Sequence, residues 1–415
     1  MRVSRTTERR FVLGLQGLWP GRRWKGRAGI SACLDALRSV QVDSIDLVGR
    51  NQDLVFASRV EGYHRDDLDR LLYTDRRAFE HGGNLNIYPR DRLGLQYSWY
   101  ANEGLPPRWE TWARQHAAAV DRVRAAIDRD GPTESRDWND GEATDDYRSS
   151  RVEGVALHYL WRRFEVMVDH REGNRKFYDR TDRLFGPLPT PTSREATRDQ
   201  VNLEALTRLG LSGRSGLRYL RAQEDGHGRS PISRSALRDR LLAAGRIVRV
   251  EREEGGESLV LRSEELDRLE AVANGETPRE WKPLPSEPET IFLPPLDRVV
   301  ADGRAKELFD FDHLIEFYKP VAQRRWGYYV FPVLFGDRLV GRIEPTLDRE
   351  THELVLGRAW WEPGTELDAI AAPFARGLHR MADGLGAGSV RWGRAGPPRF
   401  RASVERELAR LRRAP

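Results

Sequence analysis

The chain has 415 residues, more than one compact core usually holds, so two to four packed units are expected. Its composition, 39% hydrophobic and 32% charged with 38 aromatic residues, excludes wholesale disorder; no apolar run approaches the roughly 18 residues of a bilayer span, and the N-terminus carries charges where a signal peptide needs an apolar centre, so a soluble cytoplasmic chain is expected, with no membrane contact. The net charge of +5 is unevenly spread: residues 1–60 and 385–415 each carry +6, which leaves −7 between them, so both ends are basic.

The first predicted elements are a helix over Thr6 to Leu18, a Gly-rich basic loop Gly21-Arg22-Arg23-Trp24-Lys25-Gly26-Arg27, and a second helix starting at Ser31 with Leu34, Leu37 and Val40 on one stripe. Gln41 to Val48 follows, either extended or as a tight loop, with Gln41 and Asp43 projecting to one side. A helix over Arg65 to Leu72 and a strand near Leu85 to Tyr88 complete this unit, with Pro89 as its stop.

Two later segments repeat a pattern of helix, second helix and hairpin, which is how a winged helix reads in sequence. In the first, a helix over Ala113 to Asp130 ends at Gly131-Pro132 and another spans Val152 to Trp161. Strands Glu165 to His170 and Arg175 to Tyr178 flank a turn at Glu172-Gly173-Asn174. The second copy has a helix over Ser233 to Ala244, strands near Arg246 to Val250 and Leu259 to Leu261, and a wing turn at Glu253 to Gly256. A Pro-rich connector, Pro278 to Pro295, marks the next boundary. Beyond it, strands over Tyr328 to Leu334, Arg338 to Ile343 and Glu353 to Arg358, a hairpin turn at Gly336-Asp337, a closing helix over Glu366 to Met381 and a basic, partly helical tail are expected. The expected fold class is therefore α+β, tandem winged-helix domains with a C-terminal β-rich module. It divides into 1–110, which carries Gln41 and Asp43, 111–190, 191–278, and 279–415.

Familiar catalytic templates are missing from the sequence: there is no P-loop, no Gly-x-Ser-x-Gly elbow and no Cys or His set at metal spacing, so no metal and no cofactor is expected. The acidic run from Asp137 to Asp146 lacks the Gly and terminal Glu of a calcium loop and reads as a solvated loop. Cys33 is the single cysteine, which fits a reducing compartment. Of 69 basic residues 64 are Arg, whose planar fork suits phosphate, although GC-rich coding produces the same bias.

The distinctive stretch is Gln41-Val42-Asp43-Ser44-Ile45, with Gln16-Gly17-Leu18 and Val55-Phe56-Ala57-Ser58-Arg59 as neighbours. Together with Leu293-Pro294-Pro295-Leu296-Asp297-Arg298-Val299-Val300, Leu308-Phe309-Asp310-Phe311 and Gly327-Tyr328-Tyr329-Val330-Phe331-Pro332-Val333-Leu334, it resembles the winged-helix DNA glycosylases of the AlkZ/YcaQ type. Gln41-Val42-Asp43 looks like that family's Gln-x-Asp branch. The resemblance implies a monofunctional DNA glycosylase acting on bulky or cationic alkylated purines such as N7-alkylguanine, or on interstrand crosslinks, in repair or in self-resistance. Its partner would be damaged duplex DNA in the nucleoid, with no obligate protein partner. A non-catalytic winged-helix regulator is the alternative.

The chemistry stands beside the resemblance. Breaking a base–sugar bond builds positive charge on the sugar, which a carboxylate at Asp43 stabilises while it activates water, and the Gln41 amide can orient that water. An N-alkylated purine leaves as a cation needing no strong general acid, and no Lys lies in the motif for Schiff-base attack. Where the family has an aromatic-x-His element, this chain reads Glu80-His81-Gly82-Gly83-Asn84-Leu85-Asn86; His81, Gly83, Asn84 and Asn86 are expected to line a more open substrate pocket. Asp46 is either a second carboxylate or a local ion-pair partner, with the pair expected. Candidate DNA contacts are Arg22, Arg23 and Lys25, interleaved with Trp24; Asn174 and Arg175 at the wing; Arg324 and Arg325; and Arg342, in a run that lacks the family's following Lys.

Overall fold

The computed structural model describes residues 1–138, 141–146, 148–213, 234–393 and 396–413. Ser233, at the expected start of one helix, and residues 139 and 140 of the acidic run lie outside them. Near the N-terminus, the helix Gly26–Leu37 begins earlier than the apolar stripe suggested and buries Ile30, Cys33, Leu34 and Leu37 against Phe56, Leu68 and Leu71. Arg38 ends it in the left-handed region, at φ 59°, with its N–H on the Leu34 carbonyl. This reversal drops the chain at once into a two-residue strand, Val40–Gln41, the edge of a three-stranded antiparallel sheet whose other strands are Asn86–Pro89 and Ala78–His81. Gln41 pairs with Asn86, so the sheet brings the Gln41 corner beside the 81–86 turn.

The middle segment follows the expected order with one break. His116 leaves helical geometry (φ −116°, ψ 32°), and its ring stacks on Trp112, so two helices, Pro107–Gln115 and Ala117–Asp130, replace the single one over 113–130. The helix Val152–Arg162 and the hairpin Val166–Glu172/Arg175–Arg180 then enclose a core of Val123, Ile127, Leu160, Trp161 and Met167. Gly173, at φ 62°, supplies the turn's positive backbone angle.

The next unit pairs the helices Arg194–Leu209 and Arg234–Ala243 with the hairpin Ile247–Arg252/Leu259–Arg262. The N-terminus completes it. Arg2–Val3 adds a parallel strand to Ile247–Arg252, and Phe11 and Val12 of the helix Arg5–Leu15 pack with Val250, Leu261, Leu269 and Trp281. A Cβ on Gly14 would sit 2.2 Å from the Trp281 ring, so only glycine lets helix and indole meet this closely. Residues 1–15, expected with the first unit, thus fill the core of the third. Sequence proximity could not show this, because the helix's apolar face fits any core it can reach.

The C-terminal sheet has five strands in the order Ile291–Phe292, Phe331–Phe335, Arg338–Asp348, Glu353–Trp361, Ser389–Trp392. The last pair is parallel, joined by the helix Leu367–Gly384 that covers one face. The stretch expected as a connector is therefore an integral part of the core: Trp281 is buried in the third unit and Ile291–Phe292 is an edge strand. Among the described residues no helix is long and apolar enough to cross a membrane.

Candidate functional site

The Gln41 corner opens onto a cavity of about 790 Å³ where the first sheet, the 93–103 and 194–209 helices and the 296–318 segment converge. Its floor is made of amides. Gln41 lines it with no hydrogen-bond partner for its side chain among the described residues, while its backbone carbonyl accepts from Asn51 Nδ2 at 2.8 Å. Asn51 Oδ1 and Asn86 Oδ1 are both buried and lack protein donors. Asn86 Nδ2 donates to the Asn84 carbonyl at 2.7 Å, which fixes its orientation. A buried acceptor without a donor costs free energy, so these two oxygens call for an ordered water or a small shift that brings a donor to them.

The wall is cationic and aromatic. Arg208 and Arg298 both donate to Ser39 Oγ, at 3.0 and 2.8 Å, so two guanidinium groups meet on one buried hydroxyl. Arg162 donates to Tyr100 Oη at 3.4 Å, lies over that ring and has no carboxylate partner among the described residues. Asp297 also lines the cavity, but Arg59 clamps its carboxylate from both oxygens, at 2.7 and 3.0 Å, which makes it structural.

Asp43 lies outside this lining. The strand ends at Gln41, Val42 N–H donates to the Leu85 carbonyl, and Asp43 turns away half-buried, its Oδ1 accepting from Ile45 N–H at 2.8 Å. Gln41 and Asp43 therefore do not line the cavity together, against the expectation, held for an extended stretch and a loop alike, that they project to one side. Asp43 has no ion-pair partner among the described residues, whereas Asp46 is in an ion pair at 2.8 Å, as expected, but with Arg349, 303 positions away, and not with a local residue. Tyr329, fully buried, holds its hydroxyl near Asp43 without a protein partner. Burial first, then the charges of Asp43 and Asp46, push that phenol above its usual range, so it stays a donor.

The 81–86 segment divides. Gly83, Asn84 and Asn86 line the cavity, and a Cβ on Gly83 would lie 3.3 Å from Arg162 Nη1. His81 does not line it: the ring stacks on Phe164 at 3.9 Å and its Nε2 bonds the Trp161 carbonyl, tying the sheet to the 152–162 helix. Burial holds this imidazole down to about 3, with the Trp161 carbonyl pulling the other way. His81 therefore binds its proton only in the unfolded chain across pH 6.5 to 3, so it costs stability as pH falls through that window. Urea unfolding at pH 4 to 6.5 should show His81→Phe flattening the stability-versus-pH slope by about 1.4 kcal/mol per pH unit. A parallel offset from the parent curve would show that His81 does not carry the acid sensitivity.

The expected DNA contacts also divide by burial. Arg22 is buried and paired with Glu289 at 3.1 Å, and burial pulls its guanidinium down to about 10 against that charge. Arg342 is buried between the rings of Phe311 and Trp326, at 4.2 and 4.0 Å, and pairs with Glu362. Neither can reach a phosphate, because tertiary packing consumed both guanidinium groups. Arg23 lies over Trp24 and donates to the Gly14 carbonyl; Arg175 pairs with Glu134 and Glu172; Arg324 lies over Tyr328. The exposed groups are Asn174 at the wing tip, Arg325, which pairs with Asp312, and Lys25, 71% exposed and 3.4 Å from Glu61. Lys25→Ala should therefore reduce the slope of log affinity against log salt by about 0.9, and Arg22→Ala should lower thermal stability without changing that slope. An unchanged slope for Lys25→Ala would mark the loop as a solvated face.

Sequence reasoning missed Asn51, Arg162, Arg208 and Tyr100. Arg298 stood inside a quoted run, but nothing in its spacing pointed to the cavity.

A sequence model of the family described as DNA glycosylase AlkZ-like matches residues 34–414. Among solved structures, the Streptomyces sahachiroi DNA glycosylase AlkZ is similar in fold, with a TM-score of 0.60 at 17% identity over 95% of this chain and 100% of that chain.

Proposed function

The chain belongs to the AlkZ-like DNA glycosylase family, and on that footing we propose that it hydrolyses the base–sugar bond of bulky or cationic alkylated purines in duplex DNA, with the Gln41–Asp43 corner as its catalytic element. The observation that carries this reading is the cavity at that corner, with an amide floor holding unsatisfied acceptors and an arginine wall. Acceptors suit the exocyclic N–H groups of a purine, and guanidinium groups suit the flanking phosphates.

In this mechanism the Asp43 carboxylate, which lies beyond the cavity lining in the free protein and has no cation holding it, swings toward the sugar of the bound nucleotide, stabilises the positive charge that develops there and takes the proton of the attacking water. Gln41 orients that water or the lesion through its amide. The Tyr329 hydroxyl, which feels the Asp43 charge but has no protein partner, is left to donate to the attacking water. A cationic base leaves without a strong acid, and none of the cavity's lining residues is a lysine, which supports simple hydrolysis over strand cleavage. The helix–helix–hairpin units fit tandem winged helices that grip the duplex on either side, with the Gln-x-Asp element as this chain's variant of the catalytic motif.

The glycines at 82 and 83 let Arg162 and the Asn84 carbonyl come close to the backbone, and the cavity of about 790 Å³ beside Gln41 favours large adducts over methyl groups. The test is single-turnover base release from matched duplexes carrying a bulky N7-alkylguanine, an N7-methylguanine or no lesion, followed by a search for strand breaks. Faster release of the bulky base with an intact abasic strand is expected. Release from none of them would leave a DNA-binding protein without catalysis, and breaks without added alkali would overturn the hydrolytic step.

A further inference from the structure

Large apolar side chains are almost all covered among the described residues. Among the described residues those that stand exposed are Met1, Tyr318 and Val321, and the last two lie three positions apart, 82% and 76% exposed. Tyr318 is also a lining residue at the mouth of the Gln41 cavity.

The loop that carries them is braced. Buried Glu316 accepts from the backbone N–H groups of Arg325 and Trp326, at 2.8 and 2.7 Å, which pins both ends of the loop to one carboxylate. Within it, Lys319 N–H reaches the Glu316 carbonyl, Gln323 N–H reaches that of Pro320, and Arg324 Nε donates to that of Lys319 at 2.9 Å. Phe317 is buried in the C-terminal core and its ring supports Tyr318 at 4.4 Å. A braced loop cannot fold its apolar tip back under cover, so the tip stays in water until something else covers it.

We propose that this loop is a wedge that enters duplex DNA at the lesion, Tyr318 stacking on a base beside the damaged nucleotide and Val321 filling the adjoining step. The inference rests on the DNA glycosylase reading of the cavity and adds the means by which the duplex is opened. Three observations point to DNA as the occupant. The tip is continuous with the cavity that would take the damaged nucleotide. Cations flank it: Arg324 has no carboxylate partner among the described residues, and Lys319 and Arg325 hold only the loop's own neighbours Glu316 and Asp312. An aromatic with an adjacent aliphatic side chain is the chemistry that replaces stacking when a base step is prised apart.

The experiment uses the full chain and a duplex with a tetrahydrofuran abasic-site analogue opposite 2-aminopurine, so no chemistry is needed for a signal. Binding of the parent should raise 2-aminopurine fluorescence. Tyr318→Ala should abolish most of that rise and weaken affinity for this duplex about 10-fold, the scale of one lost base stack, while changing affinity for an undamaged duplex less than about 2-fold. Tyr318→Phe should behave as the parent, and Val321→Ala should fall between. No rise with the parent, or equal weakening on both duplexes, overturns the wedge. So does a chain that self-associates through this loop, seen as loss of dimer in Tyr318→Ala by sedimentation. Failure of the glycosylase reading is distinguishable: base release would be missing from every lesion while the fluorescence rise and its loss in Tyr318→Ala persisted.

Discussion

Asp43→Asn is expected to lower single-turnover base release by about 10²-fold or more, which corresponds to about 2.7 kcal/mol of lost transition-state stabilisation. The substitution is isosteric and removes one charge. Its effect on the fold should be small, because Asp43 has no ion-pair partner to strand and the amide oxygen of Asn can still accept from Ile45 N–H. Affinity for undamaged duplex should stay nearly unchanged, since the loss falls on charge that exists only as the bond breaks. Quenched single-turnover kinetics on a duplex carrying one N7-alkylguanine give the rate, and a binding titration gives the affinity. Full activity in the variant would remove Asp43 from the mechanism and leave the cavity's own groups, Gln41 first among them, to account for it.

Arg59→Ala should be the most destabilising single change near the site, costing about 3–5 kcal/mol. Arg59 and Asp297 are each about 1% exposed and lie 238 positions apart in sequence. The guanidinium also donates to the carbonyls of Gln16 and Val55 and to Ser58 Oγ, and Asp297 accepts from Val299 N–H. Truncation leaves a buried carboxylate unpaired and the Gln16 carbonyl without its donor, both far from water. Because the pair joins the Gln41 unit to the C-terminal segment, the loss should appear as early unfolding of that junction in urea, followed by circular dichroism. The double variant Arg59→Met/Asp297→Leu should recover much of the loss, since no charge remains buried. A cost under about 1 kcal/mol for Arg59→Ala would mean that water reaches Asp297.

Local pattern determined a good deal by itself. The alternation of apolar residues and the Gly173-Asn174 and Gly336-Asp337 pairs located hairpins that form at those turns, because a two-residue loop is decided by its own backbone preferences and the strands beside it. The helix before Arg38 and the polar corner after it were legible for the same reason, and Gln41 does line a cavity. Its partner two residues on does not, since a strand of two residues cannot hold an alternation across three positions.

Only the tertiary structure decided which charges are exposed. Arg22 shares one basic loop with Lys25, and nothing in the sequence around Arg342 sets it apart from Arg325. The carboxylates that bind Arg22 and Arg342, Glu289 and Glu362, come from elsewhere in the chain and hold them inside the protein. His81 was drawn into a core by Phe164 and Trp161, residues of another unit. Arg162, Arg208 and the 296–318 segment with Arg298 and Tyr318 reach the cavity from three separated parts of the chain. Their convergence depends on which apolar faces pack together, and each such face, read alone, is compatible with many partners. Sequence thus determined the elements and the chemistry available at the Gln41 corner, whereas long-range packing selected the side chains that surround it.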